Sequence, residues 1–137
     1  MEADPVLTAL GDKIRTFLEG VSLTEAQSAY QELLAGSQLL KQEKALKALV
    51  DKTKELQTKY GRYRGFEQIG ARRVGKDLVL FRYLYKCENF PVVWYFTFYR
   101  TPGPAEAPAE SSNWRVIAVR FDTDLERLAS DSALLRP

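Results

Sequence analysis

The sequence predicts an α+β fold, three N-terminal helices packed on a curved, cone-like four-stranded antiparallel meander, and three observations carry that expectation. Over residues 1–60 apolar side chains recur at spacings of three and four, the period of amphipathic helices. After Gly61 the period falls to two, with aromatic and β-branched residues between Gly, Asn and Pro punctuation. The connections between those later segments are short, which forces antiparallel neighbours. With 137 residues the chain has room for one core of ordinary size, so 1–137 is read as a single domain. It divides into a helical part (1–60), a sheet (61–123) and a short tail (124–137).

The first helix takes Asp4 as N-cap and Pro5 as first helical residue, because proline has no N–H to lose there. Val6, Leu7, Leu10, Ile14, Phe17 and Leu18 form its apolar stripe, and Gly20 is read as its end. A second helix starts at Ser22 or Thr24, presents Ala26, Tyr30, Leu33 and Leu34, and stops at Gly36. The third is expected over 37–60, with Leu39, Leu40, Leu46, Leu49, Val50, Leu56 and Tyr60 inward and Gly61 as a left-handed C-cap. Its lysines alternate with Glu43, Asp51 and Glu55 and read as a solvated face.

Strands are expected over 63–69, 78–87, 92–100 and 114–121. Residues 101–113, TPGPAEAPAESSN, hold three prolines and nothing apolar larger than alanine, and read as a flexible loop at a hairpin tip. A short helical turn over 124–129 would follow Thr123 as cap. A turn at Glu88 and Asn89 would pair Cys87 with Phe90, Tyr83 with Trp94 and Phe81 with Phe96. In that register Val79, Phe81, Tyr83, Trp94, Phe96 and Phe98 share the face that the helices cover. The other face carries Leu80, Arg82, Leu84, Lys86, Val93, Tyr95, Thr97 and Tyr99, too apolar for a wetted surface and too charged for an interior. Tyrosine and arginine offer apolar area with a polar tip, so Arg82, Tyr95, Thr97 and Tyr99 are expected to form an interface, most simply with a second copy.

Composition excludes several classes. The chain has no histidine, so it cannot build a Ser-His-Asp triad, a Cys-His pair or a His-ligated metal site from its own residues. Cys87 is the only cysteine, which rules out an internal disulfide and a thiolate cluster and reads as buried filler. No cofactor motif is present: Gly61, Gly65, Gly70 and Gly75 precede no helix in a phosphate-loop pattern. Twenty basic against eighteen acidic residues give a net charge of +2, too balanced to direct the chain to nucleic acid or anionic lipid. No apolar run approaches the ~20 residues of a membrane span. The terminus Met-Glu-Ala-Asp-Pro has neither the basic nor the apolar region of a signal peptide, and it would also suit an exported chain whose signal has been removed.

Helices followed by an aromatic meander resemble the nuclear-transport-factor-2-like, or cystatin-like, cone fold. The segments that carry the likeness are Lys59-Tyr60-Gly61-Arg62-Tyr63, then 93–99 (VWYFTFY), the strand opening at Trp114, and Phe121-Asp122-Thr123-Asp124. Over about residues 5–128 the chain is similar to bacterial proteins of that superfamily, several of them exported. The resemblance implies a site at the mouth of the cone, between the helices and the concave sheet. Members include isomerases, dehydratases, small-ligand binders and association domains, so the fold alone chooses no chemistry.

For binding, the expected pocket residues are Tyr83, Tyr85, Trp94, Phe96 and Phe98, taking a small apolar ligand. For catalysis without histidine, a desolvated carboxylate beside a phenol is needed, and Glu67 is the candidate base, with a surface ion pair as its ordinary alternative. Asp122 and Asp124 read as caps. Arg62, Arg64, Arg72, Arg73 and Lys76 gather near the first hairpin with Tyr60, Tyr63 and Phe66, a pattern that could serve single-stranded nucleic acid and that equally suits ordinary edge protection. The leading expectation is a non-enzymatic domain that binds a small ligand or a protein partner and self-associates through its sheet.

Overall fold

A computed structural model describes residues 4–23, 25–102 and 114–125. The expected loop beyond residue 102, the helical turn beyond Leu125 and the tail lie outside the described residues. Among the described residues four α-helical segments, α1 (Pro5–Ser22), α2 (Ala26–Leu33), α3 (Glu43–Lys54) and the single turn α4 (Leu56–Tyr60), precede four strands. These are β1 (Tyr63–Val74), β2 (Leu78–Cys87), β3 (Val92–Arg100) and β4 (Trp114–Asp122), in one open antiparallel sheet of order β1-β2-β3-β4.

Asp4 caps α1 as its sequence position implies, its carboxylate accepting from the Val6 N–H at 2.9 Å, with Pro5 following. Gly20 does not end the helix, which continues to Ser22. Its role is a close crossing: a Cβ at Gly20 would stand 3.0 Å from the Ala29 Cβ, so the missing side chain lets α2 lie against α1. Ser22 donates back to the Glu19 carbonyl, Thr24 lies outside the described residues, and Glu25 stands at the N-cap of α2 without a side-chain bond.

The expected helix over 37–60 is broken twice. A 3-10 turn (Gln38–Lys41) opens it, capped by Ser37, and non-helical Gln42 separates that turn from α3. The second break, at Glu55, follows Thr53, whose hydroxyl bonds the Leu49 carbonyl one turn back at 2.7 Å, a contact that bends helices. The same hydroxyl meets the buried Tyr30 hydroxyl at 2.8 Å, which fixes α3 against α2. Ser37 also donates to the Val116 carbonyl of edge strand β4, tying the helical layer to the sheet across 79 residues of sequence.

In the sheet the β2–β3 register is the expected one: Tyr83 opposes Trp94 and Phe81 opposes Phe96. That ladder closes at Tyr85 and Val92, so Cys87 does not pair with Phe90 there but opposes Tyr63 of β1. Strand β1 runs five residues past the expected end at Ile69, and it contains two bulges, at Arg64 and Ile69. A third, at Ile117, interrupts β4. Each inserts one residue and bends its strand. The core lies between helices and sheet: Leu10, Ile14, Phe17 and Leu18 of α1, Tyr30 and Leu34, and the inner residues Val79, Phe81, Tyr83, Tyr85, Trp94, Phe96 and Phe98 are all buried.

Candidate functional site

Alternation in β2 and β3 turns Tyr83, Tyr85, Trp94, Phe96 and Phe98 to the inner face, where the rings pack on one another. Phe17 of α1 enters this layer edge-on, 5.4 Å from Trp94 and 5.7 Å from Phe96 between centroids, and Trp94 stacks near-parallel on Phe96 at 5.8 Å. The Tyr83 hydroxyl donates to Gln68 Oε1 at 2.9 Å, beside Gly11 of α1. Burial pushes the Tyr83 phenol up to about 12, and it raises the Tyr85 phenol as well. Cys87 is buried, and burial also pushes its thiol up, the condition of an inert filler.

Glu67 stands on the opposite side of the sheet. It opposes Leu84, its side chain is 59% exposed, and it pairs with Lys86 at 3.1 Å. The bulge at Ile69 explains why the sequence left its direction open: Phe66 and Gln68 point inward, one inserted residue follows, and Ala71 resumes the inner face. The sheet therefore separates this carboxylate from the phenols of Tyr83 and Tyr85. The arginines of the first hairpin are likewise dispersed. Arg64 faces Glu88 at 3.9 Å, Arg72 points outward and Arg73 inward.

Arg73 belongs to a cluster at one end of the inner face. Its guanidinium pairs with Asp4 at 2.7 Å and lies 5.7 Å from the buried Trp114 ring, while Arg100, held by Asp77 at 2.9 Å, covers the same ring at 5.2 Å. The Arg73 hydrogen bond holds the Asp4 carboxyl below its ordinary value of 3.8. A depressed folded value means that the contribution is present above the unfolded value and is lost as pH falls through the folded one. Asp4→Asn is therefore expected to be less stable than the parent near neutrality, with the difference closing below pH 3.8; denaturation midpoints compared at pH 7 and pH 2.5 check this, and an unchanged difference would contradict it.

A groove of about 240 Å³ lies between α1 and α2, lined by Asp12, Lys13, Thr16, Phe17, Ala29, Glu32 and Leu33. Its polar walls carry both signs of charge and converge on no single chemistry.

The outer face of the sheet is the more distinctive surface. Register sets its residues in rows across all four strands: Glu67-Leu84-Val93-Asp122, Gly70-Arg82-Tyr95-Arg120, Arg72-Leu80-Thr97-Ala118 and Val74-Leu78-Tyr99-Arg115. Arg82, Leu84, Tyr95 and Thr97 are half-buried, Leu80 and Tyr99 are exposed, and the bulge residue Ile117 is 48% exposed. Val93 is the exception, fully buried. The Arg120 guanidinium sits 3.8 Å from the Tyr95 ring centroid and pairs with Asp122 at 3.0 Å. Arg82 lies over Gly70, where a Cβ would come within 3.3 Å of its Nε, so the glycine gives the guanidinium its seat. Sequence reasoning named Arg82, Tyr95, Thr97 and Tyr99 but missed Arg120, Arg115 and Ile117, because the pairing of β4 is set beyond the 101–113 segment and no turn signal fixes it.

No helix among the described residues is long and apolar enough to cross a membrane. Comparison with protein-family models, curated proteins and solved structures gives no match.

Proposed function

We propose that the chain is a non-enzymatic α+β binding domain that pairs with a second copy of itself through the outer face of its sheet. The observation that carries this is the outer face: four strands wide, with half-buried Arg82, Tyr95 and Thr97 among exposed Leu80, Tyr99 and Ile117, while the helical layer packs on the inner side. At about 4.8 Å between strands and 3.3 Å per residue, the face measures on the order of 20 by 30 Å. That is comparable to the roughly 800 Å² that a standard interface takes from each partner.

Packing of Phe17, Tyr83, Trp94 and Phe96 into one another favours this reading over a small apolar ligand held among the inner aromatics. The outward direction of Glu67 weighs against a histidine-free isomerase or dehydratase. Pairing of Arg64 with Glu88 and of Arg73 with Asp4 weighs against nucleic-acid binding by the first hairpin. The order of elements, helices and then meander, supports kinship with nuclear-transport-factor-2-like association domains, a likeness of architecture alone.

Sedimentation at tens of micromolar tests the proposal, with a dimer expected and a monomer at every concentration overturning it. Tyr95→Glu would bring a carboxylate and its copy into the contact and desolvate both. The variant is expected to sediment as a folded monomer, with far-UV circular dichroism unchanged; a dimer of parent affinity would place the contact elsewhere.

A further inference from the structure

We infer that the two copies meet with every strand lying over its own counterpart in the reverse direction, an orientation fixed by Arg115 standing over the partner's Asp122. This rests on the reading that the outer face is where two copies meet, and it names the pairing which that face selects. A two-fold contact between sheet faces has its axis in the plane of the contact. Aligned packing, with strand directions within about 30°, covers the face along its whole length and leaves two orientations. An axis along the strands lays β1 over the partner's β4 and β2 over its β3, each row on its own copy. An axis across the strands, between the two middle rows, lays the first row on the last and each strand on itself reversed.

The middle of the face fits either orientation. The first sets Leu78 over the partner's Tyr99 and Leu80 over the partner's Thr97; the second sets Leu78 over the partner's Leu84 and Thr97 over the partner's Tyr95. Charges on the edge strands separate the two. The row Glu67-Leu84-Val93-Asp122 ends in a carboxylate at both edges. Laid on its own copy, it sets Glu67 over the partner's Asp122 and, by symmetry, the reverse. Like charges directly opposite repel, the more so in a contact losing water. Laid on Val74-Leu78-Tyr99-Arg115, the same row sets Asp122 over the partner's Arg115 and Glu67 over the partner's Val74. Arg115 is exposed. Asp122 already bonds Arg120 at 3.0 Å and the Asp124 N–H at 3.2 Å, but a carboxylate offers about four acceptor positions and can serve guanidinium groups from both chains. Packed sheets stand about 10 Å apart, a gap that an arginine and an aspartate reaching toward one another close. Symmetry makes the contact twice, once at each end of β4.

Sedimentation equilibrium of the full chain and two charge-reversed variants tests the orientation. Arg115→Glu removes positive charge from a face whose described residues are more often basic than acidic, so relief of general repulsion would tighten the dimer. In the rejected orientation Arg115 lies over the partner's Val74, beside the partner's Arg72, and glutamate there would tighten it too. Loss of the Asp122 contact acts the other way, and the dissociation constant is expected to rise by about tenfold or more. The double variant Arg115→Glu, Asp122→Lys has the parent's net charge and is expected to dimerise more tightly than Arg115→Glu, with far-UV circular dichroism checking that both are folded. Arg115→Glu dimerising as well as the parent, or better, overturns the inference, leaves self-pairing standing, and decides the matter by itself if the double variant does not fold. A folded double variant no tighter than the single one also overturns it. A parent chain that is monomeric at every concentration overturns both readings.

Discussion

Alanine in place of Phe96 is expected to cost about 3 to 5 kcal/mol, the range for deleting a buried aromatic ring. Phe96 is 1% exposed at the centre of the inner face, in contact with Phe17 of α1, Tyr83 of β2 and Trp94 of its own strand. Its loss would remove the transfer free energy of the ring and leave a void, because the rings around it are held by different elements and cannot all collapse inward. Urea or thermal denaturation of the variant measures the cost. A loss under 1 kcal/mol would show that α1 does not pack on this face.

Gly61→Ala carries the second large effect, and its cause is backbone. Gly61 has φ +98° and ψ −179°, a region that L-residues avoid, where the chain leaves α4 and enters the sheet. An added Cβ would also meet the Asn89 side chain at 2.9 Å, the Glu88 Cβ at 3.0 Å and the Asn89 backbone nitrogen at 3.2 Å. These neighbours cannot retreat cheaply, since Asn89 N–H donates to the Tyr60 carbonyl and Glu88 N–H to the Arg62 carbonyl, both at 2.8 Å. Strain and overlap together are expected to cost about 2 to 4 kcal/mol. A variant within 0.5 kcal/mol of the parent would mean that this junction relaxes without penalty, contrary to its hydrogen bonding.

The same glycine shows which parts of the fold were readable before the structure. Gly61 after a helical run and Asp4 before Pro5 mark ends by local chemistry, and local chemistry is what a sequence states openly. β2 and β3 were legible for a similar reason: strict alternation on both sides of a short turn leaves one register that buries Phe81, Tyr83, Trp94 and Phe96 together. Gly20 misled because a glycine needed for a helix crossing looks the same as one that ends a helix; only the position of Ala29 in space separates the two. The break after Thr53 depends on a hydroxyl choosing the Leu49 carbonyl and Tyr30 over solvent, a tertiary choice. For the candidate surface, the β2 and β3 members followed from alternation, whereas Arg115 and Arg120 needed the pairing of β4.

The three bulges bear on how this chain can tolerate changes in its length. Removing one residue from a regular strand turns every later side chain to the wrong side of the sheet, which exchanges core for surface and is ordinarily ruinous. At Arg64, Ile69 and Ile117 the ladder already holds a surplus residue: Gln68 and Gly70 oppose adjacent residues of β2, and Ala118 and Val116 oppose adjacent residues of β3. Loss of a surplus residue leaves the flanking side chains facing as before and straightens the strand. In this sheet the sites where sequences can shorten without inverting are thus written into the ladder, two on one edge strand and one on the other, and a lineage could trade curvature for flatness one codon at a time.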